Sequence, residues 1–530
     1  MSKSIISGQD ALHKLLAGTN LIANAVKATL GPSGRNCVYE RVGTNQSVST
    51  RDGVSVANQI EAIDPHEQMA VDMIRSVARE AVDQSGDGTT TATLLAQAIF
   101  AEGVKAITVG ANPVALKRGI EKATASVVQS LQSMSRPVSG DMVKQVATIS
   151  ANNDEFLGGL IADAMKRAGD DGVVTVEISR KPESELVIMD GLQLGSGYIL
   201  PEFVNNKERN ECILEDVAIL LWEKKLATIL PARKLMEELV KQGKSLLVVA
   251  EDVTDEALGV LAANALKGFK FCAIRTPGSV DTLHDIGALT QGTVFTELLG
   301  VKLQDVAASH LGHAKRVVVK PTSTTIIADT GENDALTRRL NELRTQVKES
   351  TDEGARLRLQ SRLARLVGGV AVIRIGANTE LEMLERKDRV EDAMHATRCA
   401  IAEGVLIGGG MALLRSVAWL DDESGSLAKL RKEYGEGVEI VLKACHAPIR
   451  TLAANSGKSP EYVIERVKSP VENWRTYGWN AKTDTYGDMF EMGILDPLRV
   501  VRVALESAAS VASLMLITHT LVANERPKGN

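Results

Sequence analysis

Gly86-Asp87-Gly88-Thr89-Thr90-Thr91 opens a stretch of helical character that runs through Leu94, Leu95, Ala98 and Ile99 toward Gly103. Glycine lets a backbone approach a phosphate closely, the free N–H groups of a first helical turn point at it, and three hydroxyls add donors. Asp87 supplies a hard oxygen ligand for Mg2+, which would bridge phosphate oxygens. An ordinary helix start after a glycine turn fits the same letters equally well. Just upstream, Met69, Met73, Val77 and Ala81 recur every four residues between Pro65 and Gln84, the spacing of one helical face.

Other glycine loops surround this element in the sequence. Thr29-Leu30-Gly31-Pro32-Ser33-Gly34-Arg35-Asn36 follows the apolar helical run Leu21 to Ala28. It does not match G-x-x-x-x-G-K-[ST], which excludes a P-loop, and alone it is a helix C-cap and turn. Thr50-Arg51-Asp52-Gly53-Val54 sets a cation and a carboxylate beside a glycine, a pattern that a simple turn also produces. Gly408-Gly409-Gly410 is a third place for close approach, or a hinge. Asp392 lies inside the helical stretch Val390 to Ala402, where a solvated face is the plain reading.

Texture changes along the chain. The first 130 residues are expected to be mostly helical; from Val173-Val-Thr-Val-Glu-Ile178 onward, β-branched runs such as Leu246–Ala250, Phe271–Ile274, Val317–Val319 and Ile326–Ala328 alternate with helical stretches such as Leu235–Gln242 and Asp255–Leu266. Asp334 to Leu366 has the pattern of an antiparallel helical hairpin, one more strand spans Val370–Ile375, and helices return until Ala523. The order predicts a domain made from both ends of the chain, with a large insertion.

Composition narrows the function classes. The 530 residues are 44% hydrophobic and 24% charged, enough to bury large cores in several domains. Lys+Arg 61 against Asp+Glu 67 leaves −6, so no basic field holds a nucleic-acid backbone. The five cysteines are scattered without C-x-x-C or metal spacing, and the chain shows no signal-peptide pattern and no run of 18 apolar residues. These features predict a cytoplasmic protein with no membrane partner.

Taken together and in order, the loops above, with Asp52-Gly-Val-Ser-Val-Ala57, Val390-Glu-Asp-Ala-Met-His-Ala-Thr-Arg398 and Met492-Gly-Ile-Leu-Asp-Pro497, resemble the GroEL-type, group I chaperonins from about Ala17 to Leu521. The resemblance implies a multidomain α and α/β protein. Residues 1–133 and 403–530 would form a helical equatorial ATP-binding domain, 134–190 and 370–402 a small mixed intermediate domain, and 191–369 an α/β apical client-binding domain. It further implies an ATP-driven folding machine: a homo-oligomeric ring, seven subunits in the family pattern, acting on non-native proteins with ATP or ADP, Mg2+ and K+ as an accessory ion. By match to the family motifs, Thr29, Leu30, Gly31 and Pro32 lie along the nucleotide, Asp87 holds Mg2+, and Gly88, Thr89, Thr90 and Thr91 cradle phosphates. Asp392 positions or deprotonates the attacking water, Asp52 assists, and Ser150, Gly409, Trp479, Asn480, Ala481, Ile494 and Asp496 complete the pocket around phosphate, base and ribose. Pro137 and Gly404 stand at an expected lower hinge, and Gly191, Gly368 and Gly369 at an upper one.

Departures from the family pattern are local. Arg51, by the same match a nucleotide-binding residue, replaces a lysine, keeping charge but not its point-like shape, and Trp479 replaces a tyrosine. On the apical surface Tyr198, Phe203, Met236 and Leu258 provide apolar client contacts, while Glu202 and Arg233 occupy usually hydrophobic positions and Ala262 and Ala263 replace larger residues. Such a groove buries less apolar area, which argues against carrying over client preference or co-chaperonin docking unchanged. The C-terminal Glu525-Arg-Pro-Lys-Gly-Asn530 lacks the Gly-Gly-Met repeat. Ser459 stands where Arg450 usually meets a glutamate, with Lys458 adding positive charge; weak ring-to-ring association is therefore expected. Two other classes remain, an ATP-dependent metabolic enzyme and a nucleotide-responsive structural ring; no extra cluster of catalytic His, Cys or Lys favours the first.

Overall fold

The computed structural model describes residues 3–41, 46–168, 173–179, 181–207, 209–276, 280–328, 333–350, 352–368, 370–422, 426–468 and 473–524. Gly369 of the expected upper hinge and the tail 525–530 lie outside them. The chain divides into two compact units, residues 1–162 with 378–530, and residues 163–377.

The first unit is helical, and three of its long helices, Pro65–Ser85, Pro113–Met134 and Glu380–Glu403, start on a side-chain cap. In the Pro65–Ser85 helix, the Asp64 carboxylate accepts from the N–H groups of His66 and Glu67 at the start, with Pro65 in the first turn. Gly86 closes it in the left-handed region, φ 71°. Two residues later Gly88, φ 92°, starts the Thr89–Thr108 helix. The side chains of Leu15, Ile22, Ile74, Leu95, Ile99, Phe100, Ile120 and Leu131 are fully buried in one apolar core between these helices and the 498–516 helix.

Small sheets at the edges of this unit are what the helical expectation missed. Lys3–Ser7 pairs antiparallel with Thr520–Asn524, and Cys37–Arg41 with Gln46–Thr50. Val405–Ile407 pairs with Leu495–Pro497, and Tyr477–Asn480 with Thr485–Asp488. At the expected lower hinge, Arg136 and Val405 exchange both backbone hydrogen bonds at 2.9 and 2.8 Å. A Cβ on Gly404 would come within 2.7 Å of the Arg136 carbonyl, so only glycine fits beside Pro137.

The second unit holds a seven-stranded mixed sheet. Its path runs Gly191–Leu194, Thr324–Ile327, Gly312–Val319, Cys212–Trp222, Ser245–Ala250 and Phe271–Arg275, with Val294–Phe295 beside the end of Cys212–Trp222. The last three strands of the path are parallel, and their paired stretches Val217–Leu221, Leu246–Ala250 and Phe271–Ile274 are continuous buried apolar runs, the pattern of a sheet covered on both faces. A separate three-stranded sheet puts Val370–Ile375 between Val173–Ile178 and Glu185–Met189. The helical pair expected over 334–366 is present as Asp334–Glu349 and Glu353–Gly368. Asp285, nearly buried, ties both members down through Arg339 and Arg362, each donating at 2.9 Å. Among the described residues no helix is long and apolar enough to cross a membrane.

Candidate nucleotide site

Three glycine loops of the first unit converge. The turn between the Pro65–Ser85 and Thr89–Thr108 helices is held from inside: the Ser85 hydroxyl donates to the Ala81 and Asp87 carbonyls at 2.6 and 3.0 Å, and the Asp87 carboxylate accepts from the Gly88 N–H at 2.5 Å. Asp52 caps the Gly53–Gln59 helix, accepting from the Val54 and Ser55 N–H groups at 3.2 and 2.8 Å. A Cβ on Gly53 would lie 2.5 Å from the Thr90 hydroxyl, so a bare α-carbon is what lets these two loops touch. The third loop closes on the same spot, because the Thr29 hydroxyl donates to the Val26 carbonyl at 2.8 Å and lies 3.5 Å from that of Thr90. Gly31, φ 81°, turns the chain under Leu452, and the Asn455 amide holds the carbonyls of Lys27 and Leu30 at 3.0 Å each. Arg51 donates to the Gly34 carbonyl, joining the second loop to the third, and its Nε is buried without a hydrogen-bond partner.

Asp392 reaches this corner on the Glu380–Glu403 helix. One turn along that helix, the His395 Cβ lies 2.1 Å from where a Cβ on Gly86 would be, and the Cys399 thiol donates to the Ser85 carbonyl at 3.4 Å. Residues 392, 395 and 399 share one helical face, so Asp392 stands half-buried on the face that meets the Gly86–Gly88 turn. Ser150 ends the Met142–Ser150 helix, which packs on the Glu380–Glu403 helix; its side chain is half-buried.

The Gly408–Gly410 turn gathers the remaining residues. The Gly408 N–H donates to the Ile494 carbonyl at 2.8 Å, and its α-carbon leaves the Asp496 carboxylate room that a Cβ would narrow to 2.9 Å. From the Cβ position on Gly409, the Trp479 carbonyl is 3.8 Å and the Ile494 side chain 3.9 Å away. Asn480 folds its own hairpin tip, accepting from the Lys482 and Thr483 N–H groups, with Ala481 against the core beside it. Trp479 is 2% exposed and its indole donates to Asp484 at 3.0 Å, so in this structure the ring is a core residue and only its backbone faces the turn.

The carboxylates of the corner are under charge stress. Burial pushes the Asp87 carboxyl up, and the nearby Asp52 charge adds to it. Burial first, and then the Asp87 charge, raise Asp496 to about 7. Asp87, sensing the charge of Asp52 on one side and Asp496 on the other beside a row of threonine hydroxyls, is chemistry suited to a polyanion bound with a divalent cation.

The surface expected to hold clients is arranged differently. Phe203 is 2% and Met236 8% exposed, both inside the core of the α/β unit, which corrects their assignment as surface contacts. Phe203 sits on a single helical turn packed against the Asp255–Leu266 helix, and Met236 shares the buried face of the Arg233–Lys241 helix with Leu235 and Leu239. Tyr198 and Leu258 remain half-buried at the surface, the Tyr198 hydroxyl donating to Asn210 at 2.9 Å. Arg233 is exposed and paired with Glu237 at 2.7 Å. The excess positive charge expected near Ser459 is also corrected: Arg450 pairs with Glu461 and Lys458 with Asp484, each at 2.5 Å within the chain.

The sequence profile of the TCP-1/cpn60 chaperonin family matches residues 22–526. Among solved structures, the chain is similar to the chaperonin gp146 from the bacteriophage EL 2 (Pseudomonas aeruginosa), crystallised in presence of ATP-BeFx. Crystal form II gives a TM-score of 0.66 at 21% sequence identity, covering 98% of this chain and 99% of that one. Crystal form I gives 0.63 at 21% identity over the same shares. At this identity the likeness concerns the fold.

Proposed function

Because the chain belongs to the TCP-1/cpn60 chaperonin family, we propose that it is a ring-forming, ATP-hydrolysing chaperonin that binds non-native proteins and promotes their folding. The observation that carries the nucleotide half of this reading is the convergence of Thr29, Asp52–Gly53 and Gly86–Thr91 at one corner, with Gly53 packed bare against Thr90. Thr89, Thr90, Thr91 and the first-turn N–H groups would receive phosphates, with Thr29 to Pro32 alongside. Asn480, Ala481, Ile494 and Asp496 would face ribose and base.

Among the described residues no three His, Cys, Asp or Glu side chains converge to hold a metal ion alone. Mg2+ at Asp87 would therefore complete its shell with phosphate oxygens and water, and would offset phosphate charge when bound. Its positive charge would also relieve the crowding of Asp52, Asp87 and Asp496, which is why the residues present fit the ion. Asp392 would orient the attacking water and accept its proton, with Asp52, fixed at its helix cap, shaping the field beside it.

The structural-ring reading has one observation in its favour, the burial of Phe203 and Met236. ATP-dependent suppression of aggregation of a denatured test protein separates the two. A chaperonin suppresses it with ATP and loses the nucleotide dependence with Asp392→Ala, whereas an inert ring leaves aggregation unchanged throughout.

A further inference from the structure

Aromatic residues are only 3% of this chain, yet three of its four tryptophans, Trp419, Trp474 and Trp479, lie in or beside the segment that forms the Tyr477–Asn480/Thr485–Asp488 hairpin. Cations interleave with them. The Arg475 guanidinium lies 4.6 Å from the Trp419 ring centre and 5.5 Å from that of Trp474, and Arg415 lies 5.7 Å from Trp474.

Arg415 is the unusual member. It projects from the Met411–Asp422 helix, directly after the Gly408–Gly410 turn, and is 4% exposed. Its Nη2 donates to the carbonyls of Val467 and Tyr477 at 2.5 and 2.9 Å, and its Nε is buried with no hydrogen-bond partner. No carboxylate pairs with it among the described residues. Burial draws it down to about 10, so it is charged at neutral pH. A buried cation satisfied mainly by neutral carbonyls is expensive to keep. What it secures is the lead-in of the hairpin, whose far side is also fixed by Arg466 over the Tyr486 ring at 4.1 Å and by the Lys458–Asp484 pair. Water can replace those two exposed contacts, but it cannot reach the Arg415 site.

We infer that Arg415 is a positioning residue for nucleoside recognition: holding the Tyr477 carbonyl and the Trp474 ring, it fixes the hairpin that carries Asn480 and Ala481 against the Gly408–Gly410 turn. It does this without touching the nucleotide, and the inference rests on the nucleotide-binding reading above. The guanidinium matters because Nη2 alone holds both carbonyls while the delocalised charge lies 5.7 Å from the indole centre; a lysine ammonium would keep the charge and up to three donors but not the extended planar group that reaches all three partners.

The test compares Mg2+-ATP with Mg2+-tripolyphosphate, which shares the phosphates but has no nucleoside, by calorimetric titration of the full-length protein. Arg415→Met should weaken ATP about tenfold or more, with Arg415→Lys and Trp474→Leu intermediate, while tripolyphosphate stays within about twofold in each. If Arg415→Met does not fold, the other two variants carry the same comparison. A parent that binds both ligands with variants that lose both equally, or lose neither, overturns the inference alone. A parent that binds neither overturns the nucleotide reading and this inference with it.

Discussion

The glycine-rich corner of the helical unit and the client-facing surface of the α/β unit were both expected from residue identity, and they fared differently. At the corner, Gly53 admits Thr90, Gly88 leads from one helix into the next, and Asp52 is spent on its helix cap. On the other unit Phe203 and Met236 face the core, leaving Tyr198 and Leu258 at the surface. A phosphate cradle is made of backbone, and glycine is demanded by its conformation; an apolar contact surface is made of exposure, and phenylalanine satisfies a core as readily as a client.

The contrast is broken most sharply by Asp392→Ala. On the role proposed for Asp392, removing its carboxylate while leaving the glycine corner intact should lower turnover by about 10²–10⁴-fold while ATP affinity holds. Single-turnover hydrolysis beside equilibrium binding measures both, and near-parental turnover refutes the role.

Phe203→Ser tests the other side. Emptying this core position should destabilise the α/β unit by about 3–5 kcal/mol, read by chemical denaturation, and leave ATP turnover near parental. Client capture per folded molecule should persist in Phe203→Ser and fall in Leu258→Ser; the reverse ranking would return Phe203 to the surface.

Asp496 sharpens the electrostatics of the corner. Its folded pKa of about 7 lies above the unfolded value of 3.8, so the folded state binds the proton more tightly. The destabilisation is therefore complete above pH 7 and is relieved as pH falls from about 7 toward 4. Nucleotide-free Asp496→Asn should melt higher than the parent at pH 8, with the gap closing by pH 5. A gap that grows on acidification contradicts the assignment.

The smallest effect belongs to Ser459→Glu. Arg450 already pairs with Glu461, so a second carboxylate adds about 0–1 kcal/mol per contact, and its influence on ring association, repeated by symmetry, should vanish at high salt. Mass measurement across salt checks it; Glu461→Gln, which releases Arg450, should have the larger effect.

Periodicity made the long helices and the parallel strands legible, since both signals are local: Met69, Val77 and Ala81 mark one face, and Leu246–Ala250 is a continuous apolar run. The strand pairs 37–41 with 46–50 and 477–480 with 485–488 escaped because strands of four or five residues carry little pattern. Arg415 and Trp474 had no motif to announce them; the concentration of scarce tryptophans between 419 and 479 was the one available signal.

What the sequence determined by itself is everything set by backbone chemistry and local periodicity: glycines beside Asp52 and Asp87, the helical face of Met69, Met73, Val77 and Ala81, and the interleaving of helical and α/β segments. Only the tertiary structure decided that Lys3–Ser7 pairs with Thr520–Asn524, that Arg450 and Lys458 find partners within the chain, and that Phe203 points inward. Pairing across hundreds of residues and the burial of a side chain depend on which surfaces meet once loop-closure entropy has been overcome, and no local pattern of letters encodes that meeting.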